Sequence, residues 1–312
     1  MKNNELINEI VSNVDKVIIG KRKEILDILK GIIAGGHILI EDVPGVGKTT
    51  LVKALAKSLN LSHARIQFTP DLLPSDITGV SIYNPKNLEF EFKKGPVFTN
   101  LILADEINRT TPKTQSALLE VMEEKQVTEG NTTYKLAEPF IVMATQNPIE
   151  LEGTFILPEA ELDRFIIKVH IGYPNKVFEA KILEIYRDSE PLDEISSVAE
   201  IEDIIRLQKS CRAVFASKEI NEYIVNIMDA TRNNKNLVIG GSIRASLSLL
   251  RIAQATALIN GRDYVIPEDI KANILSVLSH RVTISSSARS NNYTSDSVII
   301  EIIKNIQVPR VN

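Results

Sequence analysis

Apolar residues follow two rhythms along this chain. In the first half, short runs at 37–41, 63–68, 101–104, 140–145 and 166–171 are bounded by turn residues; the first, third and fourth are chiefly apolar, and the other two mix apolar with polar positions. Runs of this length read as buried strands. Between them, 51–59 and 111–124 place apolar residues at helical spacing, with Leu118, Leu119, Val121 and Met122 on one side of the second segment. Two further helical stripes precede the first run: 5–17, through Leu6, Ile7, Ile10, Val11 and Val14, and 21–34. Val17-Ile18-Ile19-Gly20 separates them, an apolar turn that fits either simple core or packing against a purine ring. The alternation predicts an α/β fold around a parallel sheet. Two stretches interrupt it. Residues 80–83 and 88–92 flank Asn84-Pro85-Lys86-Asn87, and 126–128 and 132–134 flank Glu129-Gly130-Asn131; both predict β-hairpins.

From Pro174 onward the pattern is helical: 176–186, 201–215, 219–231, 242–259, 267–278 and 295–306, with one short strand at Leu237-Val238-Ile239. The change places a domain boundary there, giving units 1–173 and 174–312. The polar stretch 285–292 reads as a loop.

Composition narrows the class. The 312 residues carry a net charge of -4, with a pI near 5.7. That is a poor electrostatic footprint for a dedicated duplex-DNA binder, so no nucleic-acid partner is expected. No apolar run approaches membrane-spanning length, which predicts no membrane association and a cytoplasmic setting. Cys211, the single cysteine, lies in a helical pattern and reads as core.

The chemistry begins where the first strand ends. Asp42-Val43-Pro44-Gly45-Val46-Gly47-Lys48-Thr49-Thr50 lies between a strand and a helix, the setting of a phosphate-binding loop. Gly45 and Gly47 let the backbone curl so that N–H groups point at a polyphosphate. The helix opening at Lys48 adds its positive end. Lys48 can reach the outer phosphates, and the Thr49 hydroxyl can ligate Mg²⁺. Asp42 stands where the generic motif has its first glycine, which places a carboxylate near the phosphates. The apolar run 101–104 delivers the second chemical motif, Asp105 and Glu106, at its C-terminal end, where open α/β sheets bind ligands. Asp105 suits the metal shell and Glu106 the general base that polarises an attacking water. Asn147, beyond the next run, could orient that water or could simply start the turn before Pro148. Arg164 could form a local ion pair with Glu161. Arg244 stands in the first turn of a helix capped by Ser242, against the helix dipole, so it calls for an anion nearby, either a phosphate or a carboxylate.

The strand and loop runs 35–45, 66–76, 104–109, 144–148 and 162–165, together with Gly240-Gly241-Ser242-Ile243-Arg244-Ala245 and Gly261-Arg262-Asp263, resemble the MoxR family of AAA+ ATPases over nearly the whole chain. The resemblance implies a sheet of order 5-1-4-3-2 with a C-terminal helical lid. The first hairpin would be the helix-2 insert and the second the pre-sensor-1 hairpin. ATP and Mg²⁺ would bind at Gly45, Val46, Gly47, Lys48, Thr49 and Thr50, with Ile18 and Ile19 against the base. Asn147 would be sensor 1. Arg164 would be an arginine finger acting on a neighbouring subunit's ATP, and Arg244 sensor 2, acting in cis. The expected function is chaperone-like maturation of protein complexes by a homo-oligomeric ring, hexameric by analogy, with a von Willebrand A domain protein or other client as partner. A nucleic-acid motor or loader on the same scaffold is the alternative.

Overall fold

A computed structural model describes residues 2–147 and 154–309 of the chain. Five parallel strands form the central sheet: β1 (His37–Glu41), β2 (His63–Gln67), β3 (Leu101–Asp105), β4 (Ile141–Gln146) and β5 (Phe165–Val169). Their spatial order is β2-β3-β4-β1-β5, the expected 5-1-4-3-2 read from the other edge. β1 pairs with β4 from Ile38↔Met143 to Glu41↔Gln146, and β3 with β4 from Leu101↔Ile141 to Ala104↔Ala144. The loops that leave β1 and β3 therefore emerge at the same sheet edge, separated only by the tip of β4.

Both faces of the sheet are covered, which is why its central strands are unbroken apolar runs. Side chains alternate between two cores. Ile38, Ile40, Leu101, Leu103, Ile141 and Met143 enter one; Leu39, Ile102, Ala104, Val142 and Ala144 enter the other. The first core is closed by α1 (Asn3–Asp15), α2 (Arg22–Ile33) and α3 (Lys48–Ser58), the second by α4 (Pro112–Glu124).

The two hairpins are present, Gly79–Asn84 with Glu89–Lys94 and Gln126–Glu129 with Thr132–Lys135. They lean on each other through Phe92 and Tyr134, stacked 4.6 Å apart. A short helix, Pro74–Thr78, lies where the sequence shows only turn residues.

Beyond residue 174 come α5 (Lys176–Asp188), α6 (Ile201–Ala213), α7 (Lys218–Arg232), α8 (Ile243–Ile259), α9 (Pro267–Leu278) and α10 (Ser295–Lys304). The first core continues into them without a break: Leu29 and Ile32 of α2 share it with Cys211, Leu249 and Ile252. Cys211 is buried, and burial pushes its thiol up to about 12, as befits core rather than a nucleophile. Leu237–Ile239 is a strand, and it pairs with Thr283–Ile284. The stretch expected to be a loop, 285–292, instead contains the helix Ser286–Ser290. The Ser285 hydroxyl caps it by accepting from the Ala288 N–H, and Ala288 is buried.

Candidate nucleotide-binding site

The loop between β1 and α3 has the shape its residues predict. Gly45 and Gly47 both have φ +86°, a left-handed backbone that side chains resist. A Cβ on either would meet no protein atom within 4 Å, so the space above the loop is open. Lys48 arches over it, its ammonium donating to the carbonyls of Asp42 at 3.1 Å and Val43 at 3.3 Å.

Asp42 corrects an expectation. Its carboxylate does not lie beside the phosphate position. Oδ2 accepts the N–H groups of Ile171 at 2.7 Å and Gly172 at 2.6 Å, and Oδ1 accepts that of Val43 at 2.9 Å. The side chain is buried in the joint after β5.

At the tip of β3 the Asp105 carboxylate is shared. Oδ1 accepts the Thr145 hydroxyl at 2.7 Å, and that hydroxyl oxygen accepts the Glu106 N–H at 2.8 Å. Oδ2 faces Arg65 of β2, at 2.7 Å from Nη2 and 3.2 Å from Nε. Gln67, two residues on, donates to Glu106 Oε2 at 2.7 Å. Glu106 itself has φ 57°, a left-handed turn that points its side chain off the end of the strand. Gly45, Lys48, Thr49, Arg65, Asp105 and Glu106 line one cleft of about 410 Å³. An adjoining cleft of about 390 Å³ shares Gly45, Gly47 and Thr50 and is walled by Ile18, Ile19, Val46 and Tyr186. Polar and apolar compartments joined at a glycine loop suit a phosphate chain attached to a flat base. Thr49 and Asp105, whose side chains carry hard oxygen donors, both line the polar compartment, a donor set that fits Mg²⁺.

Sequence reasoning missed Arg65 and Gln67. Their signal was two polar residues, two apart, in a strand whose neighbours are apolar, which puts both on one face.

Asn147 is buried directly after β4; Pro148, read with it, lies outside the described residues. The two arginines stand elsewhere. Arg164 pairs with Glu123, at 3.9 Å, and not with Glu161. Arg244 reaches both oxygens of the same Glu123, at 3.1 and 3.0 Å. Neither lines the cleft of Lys48. The anion beside Arg244 within this chain is a carboxylate at the end of α4. Arg164 and Arg244 are held together from behind. Asp163 accepts the Ser242 hydroxyl at 2.8 Å and Arg281 Nε at 2.8 Å. Arg281 also donates to the carbonyls of Asp163, Phe165, Ile166 and Val277. Burial pulls Arg281 down to about 10 and the Asp163 charge opposes the fall, so it remains a cation near neutral pH.

Comparison with known proteins gives a consistent answer. Residues 37–167 match the family described as ATPase family associated with various cellular activities (AAA), and residues 229–302 match the AAA lid domain. An uncharacterised Bacillus subtilis protein, YeaC, is 49% identical over 97% of this chain and 95% of its own length. Chaperone MoxR1 of Mycobacterium tuberculosis is 40% identical over 98% of this chain and 83% of its own length. The crystal structure of a candidate ATPase from Cytophaga hutchinsonii superposes with a TM-score of 0.92 at 42% identity, covering 99% of this chain and 96% of that one. With its sheet order, its lid and relatives of this identity along nearly the full length, the chain belongs to the MoxR family of AAA+ ATPases.

Proposed function

We propose that this protein hydrolyses ATP with Mg²⁺ and uses the turnover to remodel or mature other protein complexes, in a ring of identical subunits. One observation carries the reading: the glycine loop, Lys48, Thr49, Asp105 and Glu106 line a single cleft that opens onto the apolar wall of Ile18 and Ile19. The triphosphate lies in the backbone N–H groups of residues 45–50, with the Lys48 ammonium turned from the loop carbonyls to the outer phosphates. Thr49 and Asp105 hold the metal, which when bound neutralises the phosphate oxygens. Glu106 accepts a proton from the attacking water and Asn147 orients it. The water oxygen bonds to the γ-phosphorus as the bond to the bridging oxygen breaks, and ADP leaves.

Arg164 and Arg244, side by side on Glu123, serve the nucleotide of the adjoining subunit, six of which close the ring. The units 1–173 and 174–312 act as motor and lid. The name Chaperone MoxR1 borne by a relative supports the chaperone role. A von Willebrand A domain protein is the partner this reading favours, in a cytoplasmic setting.

The test is a pair of variants. Glu106→Gln should bind ATP yet hydrolyse it roughly 10²–10⁴ times more slowly. Arg164→Ala should also be slow, and mixing the two should restore part of the turnover, because one site in a mixed ring then has both groups. Normal turnover by Glu106→Gln, or no rescue at any mixing ratio, overturns the assignment.

A further inference from the structure

Arg65 is absorbed by none of the roles above, yet it sits in the reaction cleft. The register of β2 on β3 sets Arg65 beside Leu103 and Gln67 beside Asp105, so the arginine reaches forward along the strand to the carboxylate. It grips Asp105 Oδ2 through Nη2 and Nε, at 2.7 and 3.2 Å. The same Nη2 donates to Gln67 Oε1 at 2.8 Å, and the Gln67 amide donates to Glu106 Oε2 at 2.7 Å. Asp105 Oδ1 is already taken by Thr145. One side chain thus touches the proposed metal ligand directly and the proposed base through one relay.

A guanidinium cannot shed its proton to make way for another cation. Two cations would crowd one oxygen of a carboxylate that is only 11% exposed, and like charges at that separation repel. We infer that Arg65 is the resident countercation of Asp105 and must release Oδ2 before Mg²⁺ can be held there, so Arg65 sets the metal requirement of the site. Its departure also frees Gln67, so that arrival of the metal changes the hold on Glu106. The arginine side chain is 52% exposed, which leaves it room to swing into the cleft. The inference rests on the nucleotide reading above.

The experiment follows Mn²⁺ by electron paramagnetic resonance, titrated into protein saturated with ADP, beside ADP affinity measured in EDTA. Arg65→Ala should bind Mn²⁺ about fivefold more tightly than wild type, the effect of removing a competing charge pair of intermediate exposure. Arg65→Lys, which keeps the charge and loses the fork, should fall between. ADP affinity in EDTA should not change in either variant. An unmoved or weakened Mn²⁺ midpoint in both variants overturns the inference. So does a loss of ADP affinity in EDTA, which would make Arg65 a phosphate ligand. Failure of the underlying reading looks different: wild-type protein would then bind no ADP with or without metal, and Lys48→Ala would change nothing.

Discussion

Asp42 shows how one residue can be identified from sequence and still be misplaced. Its position at the head of the phosphate loop is fixed by local spacing, as are those of Gly45, Gly47, Lys48 and Thr49. Its orientation is not, because the N–H groups it accepts belong to Ile171 and Gly172, 129 and 130 residues away. Turned there, the carboxylate is satisfied by backbone donors and does not repel a phosphate. Asp42→Ala would leave the N–H groups of Val43, Ile171 and Gly172 without this acceptor and should cost about 2–4 kcal/mol, read by chemical denaturation. Asp42→Asn, which keeps one acceptor oxygen, should cost less. Separation in sequence, by 40 residues or more, likewise hid the meeting of Arg164 and Arg244 on Glu123 and of Arg65 on Asp105. Nothing local to an arginine names a partner on another element.

Elements were legible in proportion to their length and burial. The central strands announce themselves because both faces are packed, and α8 does so through buried residues at helical spacing from Ala245 to Leu258. Pieces too short to show a period were misread: Pro74–Thr78 as turn, Ser286–Ser290 as loop. The joint between β5, α8 and α9 depends on Arg281, whose guanidinium donates to four carbonyls while pairing with Asp163. Arg281→Met should therefore destabilise the fold by roughly 3–5 kcal/mol, because it strands a partly buried carboxylate. Arg281→Lys should not rescue it, since a point charge cannot fill a planar fork. Thermal unfolding of both variants checks this.

At the scale of the molecule, the sheet order follows from recognising the family, while its response to acid follows from a residue inside it. His37 opens β1, with Nδ1 accepting the Val142 N–H and Nε2 donating to the Met122 carbonyl. Burial holds its pKa down to about 4. The unfolded ring takes up a proton near pH 6.5 and the folded one does not, so stability is complete above pH 6.5 and falls as the pH drops toward 4. The loss across that window should be about 3 kcal/mol, and His280, held down by burial and by Arg281, adds in the same direction. His37→Gln should flatten the decline seen in denaturation midpoints between those pH values. A different consequence attaches to α5, which buries none of its residues although it walls the apolar compartment with Ile182 and Tyr186. Only half-buried side chains hold it, among them Phe178, which lies so close on Gly20 that a Cβ there would stand 2.4 Å from it. A wall so lightly buried is fastened further by whatever fills the room behind it. Its amides should exchange with deuterium sooner than those of α8, and adding ATP should slow them while leaving α8 unchanged.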